Sequence, residues 1–299
     1  MTSVTIKMGK WLNRLSLSVT TKILWLLSRI VPYRIGVRAG GCLGSAAYYL
    51  LARGRKRAIE HLSSVFTDKD DAWIRRTARD NYVHLGKAML ELMLIRSSHL
   101  EKVFTLQGFE NLQQAHDRGR GVIYVTGHIG NWEVMGLALA AAFPLSAVAA
   151  PIEPKAVNDL ILRLRSGLGA TPILRGKAGA ARELIRVFKE NRVLAILIDQ
   201  DTDVEGAYVD FMGRPAWTPT AAAQMAIRFN APVVFGYTHR GDDNRHTITV
   251  EGPIELVRTG DDEKDIITNT AVFTKKLEDA IMKHPEQWVW MHRRWRRQQ

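Results

Sequence analysis

The hydrophobic pattern changes character a third of the way along the chain. From about residue 103, short apolar runs alternate with segments of helical period. Val103 to Leu106 reads as a strand and Phe109 to Arg118 as a short helix. Val122 to Val125 is a β-prone apolar run, broken by Gly127 and Gly130 and followed by a helix from Val134 to Phe143. A short strand at Ala147 to Ala150 is closed by Pro151; a helix over Lys155 to Leu168 and an extended piece at Thr171 to Leu174 come next. Gly179 to Glu190 reads as a helix and Val193 to Ile198 as a buried strand. Ala221 to Phe229 is helical, Val233 to Tyr237 and Thr247 to Val250 are strands paired across the polar loop Arg240 to His246, and Lys264 to Lys283 is the last long helix. This order predicts an α/β fold, a mostly parallel central sheet flanked by helices on both faces.

The first hundred residues carry a different pattern. Ile23 to Leu27 is apolar, and Ala39 to Ala52 is uncharged and rich in Gly, Ala, Tyr and Leu. Neither run reaches the roughly 18 apolar residues of a spanning helix. They predict interfacial helices over residues 1–57, with the α/β domain over 58–299. Arg55 to Phe66 and Asp71 to Arg96 read as helices. In the second, Leu85, Met89, Leu92 and Met93 recur at helical spacing and are expected in the core, with Glu91 as a partly exposed structural carboxylate.

Charge sharpens the picture of the amino end. The chain of 299 residues has a net charge of +12, and eleven basic residues precede the first acidic one, Glu60. The remainder is nearly balanced. Basic groups beside apolar runs favour an anionic membrane surface. An ordinary helical pair packed on the domain is the plain alternative. Nucleic acid is the competing partner for such charge, but no DNA- or RNA-binding motif accompanies it. The single cysteine, Cys42, excludes an internal disulfide and multi-cysteine zinc sites.

Candidate chemistry sits where strands end. His128 falls in the turn after the Val122 strand, and Glu133 at the start of the following helix. Five apart on one helix, they would point about 140° away from each other. With His128 in the turn and Glu133 in the first helical turn they can meet, as a general base and its orienting carboxylate. A structural turn with a satisfied histidine is the other reading. Asp199, Gln200 and Asp201 follow the Val193 strand and occupy the equivalent position, as cleft residues or as a capped junction. Of Arg163 and Arg165, two apart on one helix, only one can face the cleft, and Arg163 suits a solvated face. Phe211 to Gly213 and Trp217 to Thr220 either line a pocket or cap the next helix. The tail from Pro285 to Arg297 interleaves tryptophan with arginine, a composition suited to a phosphate-rich interface. HExxH, G-x-S-x-G and phosphate-loop patterns are lacking.

Together these segments resemble a known family. His-Ile-Gly-Asn-Trp-Glu at 128–133 resembles the H-x4-(D/E) motif of glycerolipid acyltransferases, in the form found in the bacterial late acyltransferases of lipid A biosynthesis. Asp199-Gln200, Phe211 to Gly213 with Thr218 and Thr220, the Arg163 to Ser166 segment, and Pro285 to Trp295 are similar to further blocks of that family, in the same order. The resemblance covers about residues 55 to 299. It implies a glycerolipid acyltransferase-like fold and transfer of a fatty acyl chain to a glycolipid or phospholipid hydroxyl. The donor would be acyl carrier protein, or acyl-CoA in some relatives, as co-substrate, with no metal or other cofactor. It makes His128 the base and Glu133 its catalytic partner. Arg165, Asp199, Gln200 and Asn131 are then substrate-binding. It also implies residence at the cytoplasmic face of the cell inner membrane, peripheral or N-terminally anchored, with no nucleic-acid partner. A different acceptor, such as a phosphatidylinositol mannoside, fits the same motifs, as does a non-catalytic membrane-binding protein of the same fold.

Overall fold

The computed structural model describes residues 30–96, 99, 102–151, 155–167 and 169–297. The expected strand at Val122 is the centre of the sheet. This strand, β2 (Val122–Thr126), is buried along its whole length. Its residues alternate between two cores, as the pleat demands. Ile123 and Val125 pack with one apolar cluster, and Val122 and Tyr124 with the other. The same split holds in β5 (Val193–Leu197), where Leu194 and Ile196 face one core and Val193 and Ala195 the other. Runs apolar on both faces are the signature of strands covered by helices on both sides.

The other strands of this sheet are β1 (Phe104–Gln107), β3 (Leu145–Ala149), β4 (Thr171–Leu174), β8 (Val233–Arg240) and β9 (His246–Ile254). The spatial order is β1-β9-β8-β2-β5-β3-β4. All neighbours run parallel except β8 and β9, which pair antiparallel across the expected polar loop. The fold is therefore the α/β arrangement with a mostly parallel sheet that the pattern predicts.

Helices α1 (Tyr33–Leu50), α2 (Ala52–Val65) and α3 (Asp71–Leu94) precede the sheet. Within it come α4 (Phe109–His116), α5 (Trp132–Ala142), α6 (Lys155–Gly167), α7 (Ala180–Lys189) and α8 (Ala221–Phe229), and α9 (Asp262–Lys283) follows. A hairpin that the hydrophobic pattern misses, β6 (Gly206–Phe211) with β7 (Arg214–Pro219), forms a separate two-stranded sheet. Its turn residues Met212 and Gly213 have φ of 56° and 74°. Two left-handed residues make the tight hairpin turn, usually signalled by Asn-Gly. Met in the first position hides that signal.

The amino-terminal helix docks through glycine. Gly40 and Gly44 of α1 lie against the backbone of α3 at Gly86 and Tyr82, where an added Cβ would collide with a carbonyl. Val37 and Tyr48 of α1 pack inward, while Ile35, Leu43, Tyr49 and Leu50 turn outward and are all more than half exposed. No helix among the described residues is long and apolar enough to cross a membrane. The Ile23 to Leu27 run lies outside the described residues.

Helix α3 reverses part of its expected facing. Met89, expected in the core, is 71% exposed, whereas Asn81, His84 and Glu91 are buried. These polar residues recur with Ala88 at i, i+3, i+7 and i+10, so they form one stripe. The stripe faces the turn that carries His128.

Candidate active site

Strands β2 and β5 are adjacent, parallel and in register, with Thr126 opposite Leu197. The residues just past their ends are forced together. The Ile198 amide donates to the Thr126 carbonyl at 3.1 Å, which sets Asp199 beside His128. Asp199 Oδ1 lies 2.8 Å from His128 Nδ1, and Oδ2 accepts the His128 backbone N–H at 2.7 Å. A third donor, the Trp288 indole N–H, reaches the same Oδ2 at 2.7 Å. The Asp199 side chain is buried, while that of His128 is 21% exposed.

Burial alone would raise the Asp199 carboxyl. The facing imidazole and the hydrogen bonds from His128 and Trp288 outweigh it and hold the group below the usual carboxylate range. An ionised Asp199 accepts from Nδ1–H and so fixes the tautomer in which Nε2 carries the lone pair. Gln200 Nε2 lies 3.2 Å from that nitrogen, where its amide N–H donates to it. Trp132 packs edge-on against the imidazole with ring centroids 4.9 Å apart.

Glu133 does not take the place expected of it. Its carboxylate is gripped by Arg165, with Nε to Oε2 at 2.9 Å and a second contact from Nη2 to Oε1. The partner of His128 is Asp199, because neighbouring strand ends bring it to Nδ1, whereas Glu133 has entered α5 and turned toward α6. Asp199, expected at the substrate, instead stands behind the imidazole. Asn131, also expected there, is buried. Its Oδ1 caps α5 by accepting from the Val134 amide at 3.3 Å, and its Nδ2 donates to Glu91 at 2.7 Å. Gln200 and Arg165 are both at the site, and Arg163 is exposed as expected.

Glu91 is the residue most underrated by its sequence context. It is fully buried and meets Arg240, His246 Nε2 at 2.9 Å, Asn131 and the Tyr33 hydroxyl. The Arg294, Trp288 and Trp290 side chains of the tail are buried as well, which corrects their reading as a phosphate-rich interface. The tail is a clamp. Ile129 bridges Trp288, Gly130 N–H donates to the Gln287 carbonyl at 3.0 Å, and Arg296 and Arg297 hold Asp203 at 2.7 and 2.6 Å. Arg294 donates to Thr218 Oγ1 at 2.6 Å, tying the tail to the β6–β7 hairpin. Among the described residues, no group of three His, Cys, Asp or Glu is placed to hold a metal ion.

Residues 11–297 match the sequence model of the bacterial lipid A biosynthesis acyltransferases. The chain belongs to that family. The acyltransferase is 23% identical over 292 residues to the lipid A biosynthesis palmitoleoyltransferase of Escherichia coli, covering 96% of this chain and 91% of the relative. It is 24% identical over 293 residues to the lauroyltransferase of the same organism, covering 96% and 92%. It is 25% identical over 215 residues to the phosphatidylinositol mannoside acyltransferase of Mycolicibacterium smegmatis, covering 69% of each chain.

One buried histidine under the site of the acyltransferase has a measurable consequence. Burial pushes the His84 imidazole down to about 3, against a backbone hydrogen bond to Gly130 that acts the other way. In the unfolded chain it takes up a proton near 6.5. Between those values the unfolded state holds the extra proton, so stability present above pH 6.5 is lost as pH falls. The expected slope is up to about 1.4 kcal/mol per pH unit from this residue. His284, pushed down to about 4 mainly by burial, adds to it with the same sign. Urea unfolding of His84→Gln at pH 7, 6 and 5 should show a shallower pH dependence than the parent chain.

Proposed function

We propose that this acyltransferase moves a fatty acyl chain from the thioester of acyl carrier protein to a hydroxyl of a lipid A precursor, with His128 as general base. The observation that carries the reading is the His128 imidazole held between Asp199 at Nδ1 and Gln200 at Nε2. The acceptor hydroxyl displaces the Gln200 amide and donates its proton to Nε2. The oxygen attacks the thioester carbonyl, the tetrahedral intermediate collapses, and the carbon–sulfur bond breaks. The thiolate leaves with the proton returned from Nε2–H. Asp199 carries the imidazolium between these two steps. The thioester is already activated, so a positioned base with polar groups around the carbonyl suffices, without a covalent enzyme intermediate.

Glu133 and Arg165 act as a unit in this scheme. The carboxylate holds the guanidinium fork at the start of α5, where it can meet a phosphate or developing negative charge. Helix α1 supplies the membrane contact at the cytoplasmic face of the inner membrane. Its outward apolar residues lie beside the exposed cations Arg34, Arg38 and Arg53. The near-complete coverage by the Escherichia coli lipid A enzymes supports the lipid A acceptor. The Mycolicibacterium relative favours a second acceptor, a phosphatidylinositol mannoside, and in that reading we take acyl-CoA as the donor. Mass spectrometry of membrane lipids from a deletion strain separates the two. The lipid A reading predicts a lipid A species lighter by one acyl chain, restored by the wild-type gene and not by His128→Ala. An unchanged lipid A with an altered mannoside would replace it with the second reading.

A further inference from the structure

A cavity of about 760 Å³ opens between the first turns of α1, residues 99 and 102–103, and the turn joining β8 to β9. None of the residues assigned above to acyl transfer lines it. Its lining holds the cationic side chains Arg34, Arg38, Lys102 and Arg245, against a single carboxylate, Asp243. That carboxylate is already engaged, accepting the Arg245 backbone N–H at 2.9 Å. Arg34, Arg38 and Lys102 are exposed and make no ion pair with another described residue. Four cations against one carboxylate leave the wall with excess positive charge, which a bound anion offsets.

The far wall is built rather than accidental. Asn244 adopts φ of 62° and is held from behind, its side chain accepting from Lys87 Nζ at 3.1 Å and its carbonyl from Arg240 Nη1 at 3.3 Å. Arg240 belongs to the buried Glu91 cluster, as does Tyr33, which also lines the cavity. His99 adds a buried Nδ1 with no hydrogen-bond partner among the described residues, a polar atom on the cavity wall that a ligand could satisfy.

The mouth of the cavity has a second character. Arg34 and Arg38 are four apart on α1, and the exposed Ile35, Ala39 and Leu43 form the adjoining stripe of the same helix. A row of cations beside a row of outward apolar side chains suits a molecule with an anionic head and a hydrocarbon tail. Arginine forks match the geometry of phosphate oxygens.

We propose that this cavity binds the phosphate headgroup of an anionic lipid, with the acyl tails of that lipid lying along the apolar stripe of α1. This site rests on the membrane contact proposed for α1 and gives that attraction one location on the protein. Its test needs no acyl donor, so it can fail while acyl transfer stands, and the reverse.

The experiment is co-sedimentation of the full chain with phosphatidylcholine vesicles containing or lacking 20 mol% phosphatidic acid, an amount on the order of the anionic fraction that creates a surface potential. Two triple variants are compared, Arg34→Gln/Arg38→Gln/Lys102→Gln in the cavity and Arg118→Gln/Arg120→Gln/Lys177→Gln at exposed positions elsewhere. All six side chains are exposed, so both variants should melt as the parent does. The cavity variant is expected to lose about 100-fold in affinity for the phosphatidic acid vesicles, and the control less than about threefold. Binding to pure phosphatidylcholine should be the same for all three proteins. Equal losses in both variants would overturn the proposal, since diffuse charge would then explain the binding. A melting shift with inorganic pyrophosphate that depends on the cavity residues, with no cavity dependence for vesicles, would overturn the lipid assignment in favour of a soluble phosphate.

Discussion

Asp199→Asn is expected to lower the rate of acyl transfer by about 10³- to 10⁴-fold without unfolding the protein. The reason lies in the count of donors around the carboxylate. Oδ2 accepts the His128 backbone N–H and the Trp288 indole N–H, and Oδ1 faces His128 Nδ1. An asparagine has one acceptor oxygen. Satisfying the two N–H groups at the Oδ2 position leaves its amide N–H₂ aimed at Nδ1. The imidazole must then accept at Nδ1 and carry its proton on Nε2, the tautomer that cannot take a proton from a hydroxyl. The loss should fall on kcat and leave KM for both substrates nearly unchanged. Glu133→Gln should behave differently, since Glu133 touches Arg165 and not the imidazole, and its effect should appear in KM as well. Equal pure kcat losses in both variants would return Glu133 to the role of orienting carboxylate.

Glu91→Ala is expected to destabilise the fold by about 3–5 kcal/mol. The carboxylate is the shared partner of Arg240 and His246, whose side chains are 4% and 0% exposed. Burial would raise the Glu91 carboxyl, but the His246 hydrogen bond and the Arg240 charge hold it below the usual range. Removing it leaves a guanidinium buried without a countercharge, the costly half of breaking a buried pair. Glu91→Gln keeps the size and part of the hydrogen bonding, so its loss should be smaller. In urea unfolding both variants should shift the midpoint, with little change in slope. Glu91 also holds Asn131, the cap of α5 just after His128, so the turn carrying His128 should loosen before the sheet does.

The α/β class and the position of His128 were legible because both depend on local pattern. Buried strands such as β2 and β5 are continuous apolar runs, and the glycines after β2 mark a turn. Pairing between segments was not legible in the same way. That Asp199 and not Glu133 meets Nδ1 follows from β2 and β5 being neighbours in the sheet, a long-range fact with no counterpart in spacing along the chain. Glu91 was misplaced for a related reason. On an apolar helix a single carboxylate reads as solvated until its partners are known, and Arg240 and His246 lie about 150 residues away. The polar stripe Asn81, His84 and Glu91 was a readable sign of burial, since it shares a face with Ala78 and Ala88. The tail illustrates the opposite error. Tryptophan and arginine side by side look like an interface, but Trp288 and Arg294 spend their polar atoms on Asp199 and Thr218 inside the protein.

A general base at His128 is tested by the transfer rate of the purified chain with an acyl carrier protein thioester and a lipid A precursor in mixed micelles, measured for the wild type and for His128→Ala. The wild type is expected to transfer the chain, and the variant to lose at least about 10³-fold in rate with an unchanged thermal midpoint. Transfer by His128→Ala within about tenfold of the wild type would contradict a base at His128.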